Sequence, residues 1–146
     1  MHDIRHRVGI KSPIDEAYQA VATREGLASW WTEDVRGESR EGGKLEFHFG
    51  GPGAAAVMEV VELEPPTRVR WRCVEGPEEW QDTTVTFELK PGAEETILLF
   101  THAGWREPVE FMHHCSSRWA YFLFGLRAAS ADGAATPWPN DRPIDS

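Results

Sequence analysis

Apolar and aromatic residues recur at helical spacing in the last long segment of the chain, which predicts an α-helix over residues 107–131. Their separations of three and four positions place them on one face of that helix. The residues of this face are Phe111, Cys115, Trp119, Phe122 and Leu126. A long helix with such a bulky face is expected to pack against the rest of the protein.

The segment before this helix alternates between apolar and polar residues, which is typical of half-buried strands. A first strand is predicted over His2–Ile10. Ser12 is predicted to cap a short helix that runs to about Ala22, and Thr23 to cap a second one over residues 24–31. The remaining strands are expected within residues 35–102. The clearest of them are predicted at 44–49, 57–63, 68–74, 83–89 and 96–102.

Short turns rich in glycine and proline separate these strands, so neighbouring strands are expected to be antiparallel. The predicted fold class is α+β, with a curved antiparallel sheet wrapped around the long C-terminal helix and two short helices after the first strand. Gly133 is expected to end the long helix. We expect a single domain over residues 1–132 and an extended, proline-rich tail over 133–146 that packs on it through Trp138.

The composition excludes several classes of partner. The net charge of −9 would repel a phosphate backbone, so no nucleic acid is expected. No apolar run approaches the roughly 20 residues that cross a bilayer, so no membrane association is expected. The N-terminal residues carry no apolar stretch typical of a secretory signal, which favours a cytoplasmic location.

The histidines and cysteines do not form a recognisable metal or nucleophile motif. Cys73 and Cys115 are expected to be reduced, and neither is part of a Cys-x-x-Cys pair. Adjacent positions on a helix diverge by about 100°, so His113, His114 and Cys115 cannot converge on one ion. For the same reason His114 is expected to point away from Cys115, which is then a small buried hydrophobe. No metal and no cofactor are predicted.

The order of elements and several local motifs resemble the SRPBCC or START-like superfamily, which has the helix-grip fold. The branch that the chain resembles is that of the activator-of-heat-shock-ATPase-like proteins, which are widespread in bacteria. One departure is Ser117-Arg118-Trp119, where many relatives have a Gly-Trp pair. The motifs that carry the resemblance lie at residues 10–13, 26–31, 42–45, 62–66, 83–87 and 101–105.

The resemblance implies a ligand cavity between the curved sheet and the long helix. Without it, the same aromatic residues would indicate a solid core. Members of the superfamily bind apolar ligands, catalyse ring closures or stimulate a chaperone ATPase. The residues expected to line the cavity are His6, Trp30, Trp31, Phe47, Phe49, Glu59, Trp71, Trp80, Phe87, Phe100, His102, Cys115, Trp119, Phe122 and Leu126.

Three of these residues could transfer protons. His6 and His102 lie among apolar neighbours by alternation, where each either serves a ligand or is a core histidine bonded to a backbone carbonyl. His102 could also be a corner residue that fixes the turn to Gly104. Glu59 faces the cavity only if its side of the strand is the inner one. If Met58 and Val60 face inward, Glu59 is solvated.

The function predicted from these observations is binding of a small hydrophobic or aromatic molecule. One alternative is a cyclase or dehydratase-type enzyme that uses acid–base residues of the cavity. Another is a module that stimulates a chaperone ATPase through the outer face of the sheet. On that face Ile97 and Leu99 are expected to form an exposed apolar pair, which would also permit a homodimer.

Overall fold

The computed structural model describes residues 1–145. Ser146, which belongs to the predicted tail, lies outside the described residues. In chain order, the elements are β1 His2–Ile10, α1 Ile14–Ala22, α2 Arg24–Ala28, β2 Asp34–Gly37, β3 Lys44–His48, β4 Ala56–Glu64, β5 Arg68–Glu75, a 3₁₀ turn Glu78–Trp80, β6 Thr84–Pro91, β7 Thr96–Trp105 and α3 Glu110–Asp132.

The strands form one open, curved sheet of seven antiparallel strands, in the order β1-β7-β6-β5-β4-β3-β2. Strands β2 to β7 form a meander, because each one pairs with its successor. The two short helices connect β1 at one edge to β2 at the other. With α3 packed on the sheet, the molecule has the predicted α+β helix-grip fold.

Alternation decides which side of each strand is buried. In β5, Val69, Trp71 and Cys73 are fully buried, while the arginines between them reach solvent. Burying one large apolar side chain stabilises the fold by about 1.5–3 kcal/mol. A shift of one residue in the pairing of β5 would therefore forfeit several such contributions, and this holds the register.

The predicted face of the long helix is the one that packs on the sheet. Cys115, Trp119, Phe122 and Leu126 are all buried, and Phe111 is partly buried. The helix ends at Gly133, whose φ of 77° places it in the left-handed region that favours glycine. The buried face confirms the helix predicted from the apolar spacing, and Gly133 confirms its predicted end.

The two short helices begin differently. Thr23 caps α2 as predicted, because its hydroxyl oxygen accepts a hydrogen bond from the Gly26 amide at 2.9 Å. Ser12 does not cap α1, so that prediction was wrong. Pro13 holds the capping position, and the Ser12 carbonyl accepts instead from the Thr96 hydroxyl at 2.8 Å.

Residues 133–145, which we call the tail segment, are joined to the body through Trp138. The Trp138 amide donates to the Trp31 carbonyl at 2.9 Å, and the Glu33 amide donates to the Trp138 carbonyl at 3.0 Å. The Trp138 ring lies 6.2 Å from that of Phe49. The tail segment is thus anchored beside the loop that carries Trp31.

The predicted exposed pair on the outer face is not present. Ile97 is only 6% exposed, because it packs beside the turn at Gly92, and Leu99 is half-buried. Apart from Met1, the exposed large hydrophobic residues of the described chain are Val61 and Phe124. Phe124 projects from α3 and is 63% exposed.

Candidate functional site

A cavity of about 160 Å³ lies between the first half of α3 and the loops at one side of the sheet. It opens to solvent on one side, and its walls are mainly apolar. The residues that line it are Trp31, Phe49, Trp80, Phe111, His114, Cys115, Arg118, Trp119 and Phe122.

One wall of the cavity is a face of α3. The six helical residues that line it are separated by one, three or four positions. At about 100° per residue they cover a sector of roughly 140° of the helix surface. The helix therefore brings together four apolar side chains and two polar ones, His114 and Arg118.

The opposite wall consists of three aromatic residues from connecting segments. Trp31 follows α2, Phe49 follows β3 directly, and Trp80 ends the 3₁₀ turn. Trp119 of the helix contacts two of them, with ring centroids 4.8 Å from Trp31 and 6.1 Å from Trp80. Because the indoles pack on one another, the wall is rigid and its shape is largely preformed.

The polar residues of the cavity wall bind the tail segment. An Arg118 guanidinium nitrogen donates to the Asp141 carboxylate at 3.0 Å, and the same guanidinium lies 4.8 Å from the centre of the Phe122 ring. The Nδ1 atom of His114 donates to the Asp145 carboxylate at 2.7 Å. Burial raises the pKa of the Cys115 thiol to about 11, so this side chain is a neutral apolar part of the wall.

One further donor belongs to the cavity lining. The indole N–H of Trp80 is buried, makes no hydrogen bond of normal geometry within residues 1–145, and has beside it only the Cys115 thiol, a weak acceptor. A buried donor without an acceptor costs about 1–3 kcal/mol relative to a satisfied one. An acceptor within reach of the Trp80 nitrogen would remove this cost.

His102, predicted as a cavity residue, lies instead inside a closed hydrogen-bond chain. The Trp119 indole donates to Nδ1 at 3.2 Å, so Nδ1 is unprotonated and Nε2 carries the hydrogen. Nε2–H donates to the Thr83 hydroxyl at 2.8 Å, which donates to the Trp80 carbonyl at 2.6 Å. Burial lowers the pKa of His102 to about 3. This histidine therefore holds Trp119 and the Trp80 turn in position.

Glu59 and His6 are also outside the cavity. Met58 and Val60 face inward, so Glu59 lies on the outer face, where its carboxylate accepts from Arg72 at 3.2 Å. The second alternative for Glu59 is therefore the correct one. His6 donates from Nε2 to the Ser116 carbonyl at 3.1 Å and is half-buried between β1 and α3.

The other predicted lining residues fill the space beneath the middle of the helix. Phe87 lies 5.1 Å from Trp71 and 5.5 Å from Phe100, measured between ring centroids. In this part of the interior the aromatic residues form a solid core, which was the alternative to a cavity in the sequence analysis. The predicted residues in it are Trp30, Phe47, Trp71, Phe87, Phe100 and Leu126, all at most 2% exposed.

Three lining residues were missed in the sequence. Phe111 was assigned to the packed face of the helix but not to the cavity. His114 was expected to point away from Cys115, but the two residues diverge by only about 100° and both fall within the roughly 140° sector of the helix that lines the cavity. Arg118 carried a signal that was not used, since it lies four positions after His114 and directly before Trp119.

The sequence matches the family described as Activator of Hsp90 ATPase homolog 1-like protein over residues 11–131. Among solved structures, it is similar to the Aha1 dimer from Colwellia psychrerythraea, a solution structure. The two are 38% identical, with a TM-score of 0.84, over 92% of this chain and 100% of the other. Among curated proteins, none matches the chain.

More distant structures share the fold. The protein SSP2350 from Staphylococcus saprophyticus is 14% identical, with a TM-score of 0.76, over 92% of this chain and 95% of its own. CalU16 from Micromonospora echinospora is 23% identical, with a TM-score of 0.71, over 97% of this chain and 76% of its own. At these identities the likeness supports the fold alone. No helix within residues 1–145 is long and apolar enough to span a bilayer.

Proposed function

The chain belongs to the Activator of Hsp90 ATPase homolog 1-like family, and with this as the premise we propose that it binds a small aromatic or apolar molecule in the cavity beside α3. The observation that carries the proposal is a preformed aromatic cavity of about 160 Å³ with an opening to solvent. A dry, apolar cavity of about 150 Å³ in another protein is large enough for benzene. The ligand is therefore of the size of one substituted aromatic ring.

The enzyme alternative is less well supported by the arrangement of the side chains. Proton transfer was expected from His6, His102 or Glu59, and none of the three lines the cavity. His102 has both ring nitrogens bonded, and its pKa of about 3 keeps it neutral near pH 7. The thiol of Cys115 is protonated under the same conditions. The cavity is thus better equipped for binding than for acid–base catalysis.

A titration with toluene, followed by tryptophan fluorescence, tests this proposal. Trp31, Trp80 and Trp119 line the cavity, so a bound ring is expected to change their emission. Cys115→Leu places a larger apolar side chain in the cavity and is expected to weaken toluene binding about tenfold, a loss of about 1.4 kcal/mol. Phe124→Leu, on the exposed side of the same helix, is the matched control and should leave binding unchanged.

The proposal fails if toluene produces no saturable change in the wild-type protein. It also fails if Cys115→Leu and Phe124→Leu bind toluene as the wild type does, because the ligand would then lie elsewhere. Far-UV circular dichroism of each variant verifies that the fold is retained.

We also propose that the chain forms a homodimer, because one relative is described as a dimer. The pair Ile97 and Leu99 is not available for this contact, since Ile97 is buried. Phe124 of α3 is a large apolar side chain that is mostly exposed to solvent. Light scattering after size exclusion should give the mass of a dimer for the wild type and a lower mass for Phe124→Glu. A monomeric wild type would contradict the proposal.

A further inference from the structure

The tail segment places two carboxylates on the two polar residues of the cavity wall. Asp141 accepts from Arg118 at 3.0 Å, and Asp145 accepts from His114 at 2.7 Å. Arg118 and His114 both line the cavity, one helical turn apart. The side chain of Asp141 is only 11% exposed, so this pair is more than a loose surface contact.

The tail segment runs antiparallel to α3 along this wall. The Tyr121 hydroxyl accepts from the Arg142 amide at 2.9 Å and bonds the Thr136 hydroxyl at 2.9 Å. Later residues of the tail segment then contact earlier residues of the helix. The two carboxylates thereby contact His114 and Arg118 of the cavity lining, and the anchor residue Trp138 lies beside Phe49.

The polar groups of the cavity wall are hydrogen-bond donors. Arginine has five N–H donors and no acceptor, and the tryptophan indole only donates. The Trp80 indole N–H has only the weakly accepting Cys115 thiol beside it within residues 1–145, and His114 donates from Nδ1. A ligand that satisfies such a set must bring acceptors, and a carboxylate brings two oxygens with the charge that a guanidinium prefers.

We propose that the cavity recognises an aromatic carboxylic acid, whose ring lies among the indoles and whose carboxylate binds Arg118 and His114. In the ligand-free protein Asp141 and Asp145 occupy these two donors, so the tail segment acts as an internal competitor. This inference rests on the proposed function, because it assigns the chemical class of the ligand to the same cavity.

The competition has a measurable consequence. A ligand carboxylate gains its bonds to Arg118 and His114 only by displacing bonds of the same kind from the tail segment. An uncharged ring such as toluene makes no such exchange. Removing the tail carboxylates should therefore strengthen binding of the acid and leave binding of the uncharged ring unchanged.

The experiment compares toluene with 4-methylbenzoate by calorimetric titration of the full chain. In the double variant D141N/D145N, the affinity for 4-methylbenzoate is expected to rise about tenfold, roughly the effect of one charge-assisted hydrogen bond. Adding Arg118→Gln to D141N/D145N is expected to weaken 4-methylbenzoate binding about tenfold, because the guanidinium freed from the tail segment is then lost to the ligand carboxylate. Toluene affinity should stay within about twofold in D141N/D145N.

A matched control separates local contacts from the overall charge. Glu88 on β6 and Glu94 in the turn before β7 are both exposed, and neither lines the cavity. The variant E88Q/E94Q changes the net charge by the same two units as D141N/D145N. It should bind 4-methylbenzoate as the wild type does.

The outcomes distinguish the two proposals. If toluene binds but 4-methylbenzoate affinity is unchanged in D141N/D145N and is not lowered when Arg118→Gln is added to it, the carboxylate inference is wrong and the proposed function stands. An equal gain in E88Q/E94Q would also overturn the inference, since it would arise from net charge. If neither compound binds to any variant, the proposed function fails and the inference with it.

Discussion

Because of His102, the free energy of unfolding should begin to fall below about pH 6.5, well above the pH at which the folded protein binds a proton on this residue. Burial lowers the pKa of this histidine from 6.5 to about 3. Between these values the unfolded chain binds a proton that the folded protein does not, so stability falls as the pH falls. The contribution of the neutral imidazole is complete above pH 6.5 and is lost progressively toward pH 3.

The magnitude follows from the size of the shift. At pH 5 the solution is 1.5 units below the ordinary pKa of 6.5, and each unit corresponds to about 1.4 kcal/mol. His102 should therefore contribute about 2 kcal/mol less to the free energy of unfolding at pH 5 than at pH 7. The carboxyl groups with lowered pKa values, such as Glu95, act mainly below this range.

Urea unfolding of the wild type and of His102→Gln at pH 7 and pH 5 isolates this contribution. Glutamine does not titrate, so the variant lacks the pH-dependent contribution of His102. At pH 7 the variant should be less stable by about 1–3 kcal/mol, because Trp119 and Thr83 lose a well-placed partner. The difference between the two proteins should shrink by about 2 kcal/mol at pH 5. An unchanged difference would show that His102 is not shielded from protons, which would refute its structural role.

Three further variants and treatments test separate parts of the structure. Thr23→Ala removes the cap of α2 and should cost about 1 kcal/mol in urea unfolding, whereas an unchanged stability would contradict the capping bond. Glu59→Gln removes a surface ion pair with Arg72 and should change stability by less than about 1 kcal/mol without affecting toluene affinity; lost affinity would place Glu59 in the site. Cys73, whose pKa burial raises to about 11, should react with iodoacetamide at pH 8 only after unfolding, and rapid labelling of this thiol in the folded protein would contradict its burial.

The fold was largely predictable because it depends on periodicity. The alternation in β5 and the spacing along α3 each identify a buried face without any knowledge of the partner element. The meander follows from the short turns. Ser12 could not be excluded as a cap, because its bond to Thr96 comes from a strand 84 positions away.

The side of β4 that faces inward was not predictable, because both sides carry apolar residues. By alternation, one side of the strand carries Val57, Val61 and Leu63, and the other carries Met58 and Val60. The pairing with β5 also shifts at two points along the strand, after Val57 and after Val60. A strict period of two is broken by such shifts, so Glu59 could be placed only by the tertiary structure.

The extent of the cavity was the least predictable feature. Pattern arguments identify which side chains point inward, and they contain no information on whether those side chains fill the available volume. Trp31, Trp80 and Trp119 do line a cavity, whereas Trp71 and Phe87 close the space beneath the centre of α3. The contacts of the tail segment with His114 and Arg118 left no periodic signal at all.

The most direct test of ligand binding in this cavity is a ¹H–¹⁵N correlation spectrum of the seven tryptophan indole N–H groups, recorded with increasing toluene. The indole resonances of Trp31, Trp80 and Trp119 should shift together and saturate with one dissociation constant, because these rings line the cavity. Saturable shifts that leave these three resonances unchanged, or no shifts at the solubility limit of toluene, would contradict a ligand site at the first half of α3.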